Sequence, residues 1–195
     1  MSARESLIKE MEKPSVKVYI DGANMFYTQK DLGWIFDWEK ISRLLKKSYQ
    51  PEEINFYIGV KGEKEKRFIH NLKSFGFRVI TKPVKRINIA PLGKKPTWVF
   101  KANFDVEIAT EILLGIKKTK KVVLFSGDSD FSYLVRLIIR RFAKEVDIYS
   151  SRKFLSRELK YSGAKVYFLE EMKKEVFLRN WPLTKGVKRS IKKDK

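Results

Sequence analysis

Val122–Phe131 reads VVLFSGDSDF. Residues 122–125 form an unbroken apolar run, which is the mark of a strand covered on both faces. The run stops at Ser126 and Gly127, and two aspartates follow one residue apart, Asp128 and Asp130. Carboxylates this close repel each other. Their position at the end of a buried strand therefore calls for a compensating partner.

Working outward, short strand patterns alternate with helical ones. Strands are expected at Val16–Ile20, Ile54–Val60, Phe77–Thr81, Lys121–Ser126, Glu145–Ser150 and Lys165–Met172. Helices are expected over 38–47, 63–75, 104–116, 131–142 and 151–163, most with apolar residues three and four apart. Gly76 is placed to end the second of these. This alternation predicts βαβ units: an α/β fold with a Rossmann-like, mostly parallel sheet of about six strands and helices on both faces. Residues 16–180 make up the expected domain, residues 1–15 an N-terminal extension and 181–195 a basic tail. One stretch breaks the pattern. Lys82–Asn103 carries three prolines and many basic residues without a clean period, so a long loop or irregular hairpin is expected there.

Composition narrows the partner. The chain has 195 residues, 43% of them hydrophobic, which is enough for a packed core. Its formal net charge is +20, a field that attracts polyanions, and nucleic acid is the commonest of these. There is no cysteine, so disulfides and thiolate metal sites are excluded. No signal peptide and no membrane-spanning stretch is apparent, and a cytoplasmic location is expected.

In parallel sheets of this kind, ligands bind beyond the carboxyl ends of the strands. After the first strand come Asp21, Gly22 and Asn24, and after the fourth come Ser126, Gly127, Asp128, Ser129 and Asp130. Asp105 sits in the first turn of its helix, in line with Ile108 and Ala109, and so faces the same edge. Glu107 and Glu111 are rotated to another side. Four carboxylates in one cleft cost several kcal/mol of repulsion, roughly, for each close pair. Lys101 is the only nearby cation in sequence. A divalent ion would relieve the repulsion, and an all-oxygen donor set favours Mg²⁺ or Mn²⁺. Helix capping is the alternative use of Asp128, Ser129, Asp130, Asn103 and Asp105.

Three segments, in this order, resemble the NYN domain family, the LabA-like branch of the PIN-like nuclease superfamily: YIDGANMFY, KANFDVEIATEIL and VVLFSGDSDFSYLV. The resemblance runs from about Val16 to Leu169. It implies a metal-dependent ribonuclease with an acidic site made of Asp21, Asn24, Asp105, Asp128 and Asp130. Where many relatives carry a further aspartate on the helix, this chain has Glu111.

The chemistry implied is hydrolysis of RNA phosphodiester bonds by one or two Mg²⁺ or Mn²⁺ ions. Asp21, Asp105, Asp128 and Asp130 would be the ligands, and Asn24 would position substrate or a ligand carboxylate. Ser126 and Ser129 would donate to the carboxylates or to phosphate. Lys82, Lys85, Arg86, Lys94, Lys95 and Lys101 would line a positive groove for single-stranded RNA. Trp98 and Phe100 would stack on bases, with Trp34 and Phe36 as weaker candidates. The basic tail would add salt-sensitive affinity. His70, the only histidine, is not expected in catalysis. Two alternatives stay open: an RNA-binding module with little activity, and a DNA-directed nuclease of the same superfamily. Homo-oligomerisation is also left open.

Overall fold

The computed structural model describes residues 15–90 and 96–182. Most of the N-terminal extension, Lys94 and Lys95 in the basic insertion, and the tail beyond Pro182 lie outside the described residues, as do the side chains of Phe100 and Lys101. The chain begins with β1 (Ser15–Asp21), α1 (Gly22–Leu32), β2 (Trp34–Phe36), α2 (Trp38–Tyr49), β3 (Glu53–Val60), α3 (Glu63–Ser74) and β4 (Arg78–Pro83). The hairpin strands β5 (Lys85–Asn88) and β6 (Trp98–Lys101) follow, and then α4 (Asp105–Gly115), β7 (Thr119–Phe125) and α5 (Ser132–Phe142). The last elements are β8 (Glu145–Ser150), α6 (Arg157–Lys160), β9 (Lys165–Phe168), α7 (Lys173–Val176) and β10 (Phe177–Asn180).

Six of the strands make one all-parallel sheet in the order β4-β3-β1-β7-β8-β9. From β1 the chain builds outward in one direction through β3 and β4. It then returns to β1 and builds the other way through β7, β8 and β9. Where the direction switches, the carboxyl ends of β1 and β7 lie side by side, with Ile20 paired to Phe125. The crevice at such a switch point is where doubly wound sheets bind ligands.

Each face of the sheet has its own core. Val18, Ile20, Val123 and Phe125 pack under Met25 of α1 and Trp38, Ile41 and Leu45 of α2. Tyr19, Val122 and Leu124 point the other way, onto Ile108 and Ile112 of α4 and Leu134, Val135 and Ile138 of α5. Successive residues of one strand thus serve opposite layers. Trimming a fully buried member such as Ile108 to alanine would cost about 2–5 kcal/mol. Gly76 ends α3 as expected, with φ at +92°, where a side chain would be strained.

The fold departs from the sequence pattern in several places. α1 and β2 carry no clear periodic signal. α1 buries only Met25, Thr28 and Gln29, two of them polar, so no apolar stripe shows in its sequence. Its start is set instead by Asp21, whose side chain caps the helix. β2 pairs antiparallel with β10, and this buries Trp34 and Phe36 at 3% and 1% exposure. Neither ring can stack on a base, contrary to expectation.

Residues 151–163 hold a single helical turn rather than a long helix. The preceding loop is drawn against Gly127, where a Cβ would come within 2.1 Å of the Phe154 carbonyl oxygen. The sixth strand of the sheet stops at Phe168, and hydrogen-bonded turns take over, with the amides of Glu171 and Met172 donating to the carbonyls of Phe168 and Leu169. On α4, Leu113 is turned outward although it follows the buried Ile112. The basic insertion is a hairpin that registers Lys85 with Lys101 and Asn88 with Trp98.

Candidate metal centre

Three local devices build the crevice. At the end of β1, Asp21 Oδ1 accepts the amides of Ala23 and Asn24, both at 3.1 Å, and so starts α1. Gly22 follows because a Cβ there would lie 2.4 Å from the Tyr57 carbonyl oxygen of β3. At the end of β7, Asp128 caps a short 3₁₀ turn, its Oδ1 accepting the Asp130 amide at 3.1 Å. At the head of α4, Asn103 Oδ1 accepts the Asp105 amide at 3.0 Å. The capping alternative holds in part: Asp128 caps its 3₁₀ turn and Asn103 holds the first amide of α4, whereas the N-cap residues of α4 and α5, Phe104 and Phe131, make no side-chain cap. The caps fix where the carboxylates stand, and each aspartate still has an oxygen that the cap does not use.

Asp105, Asp128 and Asp130 each bring one carboxylate oxygen to a common place, all three atoms lying within 4.8 Å of one another. Asp21, 8% exposed, stands outside this trio and is linked to it through Ser126. Its Oδ2 accepts a 3.3 Å hydrogen bond from the Ser126 hydroxyl, which in turn accepts the Asp128 amide at 3.2 Å. Ser126 is wholly buried, so it serves the carboxylates and cannot reach a phosphate. Ser129 is exposed on the rim. Asn24 Oδ1 accepts the Gly127 amide at 3.1 Å, tying α1 to the acidic loop.

The electrostatics are unfavourable without a cation. Burial, opposed by the capping amides and reinforced by the charge on Asp105, pushes Asp21 up to about 6. Burial also raises Asp105, with Asp128 and Asp130 adding to the shift. At ~4.8 Å and an effective dielectric of ~20, each like-charged pair costs about 3 kcal/mol, less where water reaches it. The other acids of α4 are already paired, Glu107 with Lys82 and Glu111 with Arg78. Among the described residues no lysine or arginine forms such a pair with Asp21, Asp105, Asp128 or Asp130. A compact set of hard oxygen donors with unbalanced negative charge suits a hard divalent ion.

Glu111 does not belong to this set. Its carboxylate accepts the Tyr57 hydroxyl at 3.0 Å and the Arg78 guanidinium at 2.8 Å, well down α4 from Asp105. It fastens α4 to β3 and β4. On the hairpin, the Arg86 guanidinium lies 4.0 Å from the centroid of the exposed Trp98 ring, and Lys85 is also exposed. Lys82, which was expected in the same groove, is held by Glu107. His70 is exposed on α3, outside the crevice. A second polar cluster lies at the amino edge of the sheet, where Tyr49 and Lys121 hold the buried Asp147. It does not touch the carboxylate trio.

A doubly wound parallel sheet with an acidic cluster at its switch point is the layout of a PIN-like nuclease. The NYN domain family, a family of such nucleases, matches residues 15–170, and this chain belongs to it. Among curated relatives, the Low amplitude and bright protein LabA of Synechococcus elongatus is 32% identical over 152 residues, 76% of this chain and 80% of that protein. Among solved structures, a protein of unknown function from Vibrio parahaemolyticus, VPA0982, superposes with a TM-score of 0.69. That match covers 86% of this chain and 98% of the other at 22% identity, so it speaks to the fold alone. No helix among the described residues is long and apolar enough to cross a membrane.

Proposed function

We propose that the protein is a divalent-metal-dependent ribonuclease. The observation that carries this reading is the gathering of Asp105, Asp128 and Asp130 at the switch point, with the buried Asp21 linked to them through Ser126. These four residues would hold Mg²⁺ or Mn²⁺. When bound, the metal would activate a water for attack on phosphorus and neutralise charge on the scissile phosphate. The chain's own part is positional. Ser126 and the capping amides of α1 orient Asp21, and Asn24 holds the acidic loop to α1. Lys85 and Arg86 of the hairpin offer charge for the phosphates beside the cleft, and Trp98 offers a ring. The charge of +20 supports a polyanionic substrate, and an acidic pocket within a basic molecule favours approach of the backbone from the sides.

The test is cleavage of end-labelled single-stranded RNA with Mn²⁺, with Mg²⁺ and with EDTA. An Asp128→Asn variant purified in parallel and a DNA strand of the same sequence complete the set. Cleavage should need metal and should fall at least 100-fold in the variant. Metal-independent cleavage that persists in the variant would overturn the reading. Salt-sensitive RNA binding by both proteins without cleavage would leave a binding module, and preferential cleavage of the DNA would redirect the substrate.

A further inference from the structure

α1 leaves the acidic site with large rings on its solvent side. It starts at the capping carboxylate of Asp21, and its outward face carries Phe26 and Tyr27, at 49% and 53% exposure. Tyr27 lies three residues beyond Asn24, about one helical turn from the residue that anchors the acidic loop. Phe26 meets Tyr27 edge to face at 5.5 Å between centroids, and it meets Trp181 in the same way at 5.4 Å. Trp181 is held in place by the backbone, its amide donating to the Gly33 carbonyl beyond the end of α1. The three rings therefore form a contiguous row along α1, in the order Tyr27, Phe26, Trp181, on the helix that starts at Asp21.

Two such rings are costly to leave in water, and a single-stranded nucleic acid offers flat apolar faces that would cover them. Charge complementarity favours that occupant over an apolar protein surface. The chain carries +20 overall, and Lys30 is exposed on the same helix. In sequence, Lys185, Lys188, Arg189, Lys192 and Lys193 come soon after Trp181. A base-paired duplex keeps its faces stacked internally and cannot present them to these rings.

We infer that Phe26, Tyr27 and Trp181 form a base-stacking platform that holds the unpaired nucleotides flanking the scissile phosphate, and that the substrate is single-stranded RNA. The inference rests on the nuclease reading for its location and on the rings themselves for its chemistry. The hairpin strand β6 leads into α4, which packs on one face of the sheet, whereas α1 with its rings packs on the other, so the platform would supply a second arm of the substrate track.

Binding in EDTA separates this platform from the chemistry. Fluorescence anisotropy would compare a labelled 12-nucleotide RNA with the same backbone lacking bases at its central positions, and with a blunt RNA duplex. The wild type should bind the base-bearing strand at least tenfold more tightly than either of the other two. Phe26→Ala with Tyr27→Ala should abolish that difference and leave affinity for the abasic strand unchanged. Phe26→Leu with Tyr27→Leu keeps apolar bulk and should lose most of the difference as well, with an unchanged melting temperature confirming an intact fold.

Equal binding of base-bearing and abasic strands by the wild type would overturn the platform, and so would an alanine pair that retains the preference. A change in sedimentation from dimer to monomer with the preference intact would assign the rings to self-association instead. If the preference is lost in the alanine pair while Asp128→Asn leaves cleavage unaltered, the platform stands and the nuclease reading fails. Metal-dependent cleavage that disappears in Asp128→Asn, together with a base preference that persists in the alanine pair, leaves the nuclease reading and removes the platform.

Discussion

Asn24 Oδ1 accepts the backbone amide of Gly127 at 3.1 Å, joining residues 103 positions apart in sequence. The bond couples the first turn of α1 to the loop that presents Asp128 and Asp130. Gly127 is buried, so its amide has no water to turn to. Asn24→Ala should therefore cost about 1–3 kcal/mol of stability from the unsatisfied donor. It should also weaken Mn²⁺ binding by roughly tenfold, because the ligand loop loses its anchor. Calorimetric titration of Mn²⁺ into the variant checks both the anchoring and the order of effects. Unchanged affinity would mean that the loop is held by its own caps alone.

Asp21 gives a pH dependence whose sign is fixed. Its folded value, about 6, lies above the ordinary value of 3.8 because burial disfavours the charge. Folding then favours the protonated form. Its contribution to stability is complete below about 3.8 and is lost as pH rises through about 6. In chelator, the wild type should gain about 1 kcal/mol from this group on going from pH 7 to pH 5. Asp21→Asn, which keeps a good capping side chain, should be at least as stable as the wild type at pH 7 and should lack this gain. Urea unfolding of both proteins at the two pH values measures the difference. The same variant should lose metal-dependent cleavage.

Asp105 and Glu111 lie on one helix with opposite assignments. Asp105→Asn should abolish cleavage and leave stability unchanged or raised, since its neighbours repel its charge. Glu111→Ala should leave cleavage within a few-fold and cost about 1–3 kcal/mol, mostly from the buried Tyr57 hydroxyl left without its acceptor. The ion pair with the half-exposed Arg78 adds little. Activity assays paired with urea melts test the contrast. A cleavage defect in Glu111→Ala at full stability would return that residue to the site.

At the opposite edge of the sheet, Tyr49 donates to Asp147 at 2.8 Å and shares a 2.7 Å hydrogen bond with Tyr149. Burial and these two neighbours raise the Tyr49 hydroxyl well above its ordinary value, so it stays a donor at any physiological pH. Tyr49→Phe would leave the buried Asp147 with Lys121 as its remaining partner. A loss of about 1–3 kcal/mol is expected, with no change in metal affinity or cleavage. Differential scanning calorimetry and the RNA assay together separate this structural network from the site.

Much of this was legible without coordinates. The apolar run 122–125 determined a buried strand, and the alternation around it determined a parallel α/β sheet, because covered strands and one-sided helices have different periods. The trio Asp105, Asp128 and Asp130 was legible as a group because these residues follow a strand end or open a helix, and Asp21 because it ends the neighbouring strand. Other features depended on the tertiary structure. α1 was hidden because its buried side is partly polar. Trp34 and Phe36 look like candidates for stacking until β10 pairs with β2 and covers them. Glu111 is rotated away from the site in the sequence pattern, and the fold shows what it does instead, holding Tyr57 and Arg78. In each case the deciding property was the partner that covers or holds the side chain. Sequence fixes the period of an element, whereas the partner that covers a given face comes from residues distant in the chain. For that reason only the fold distinguished the buried rings of β2 from the exposed rings of α1.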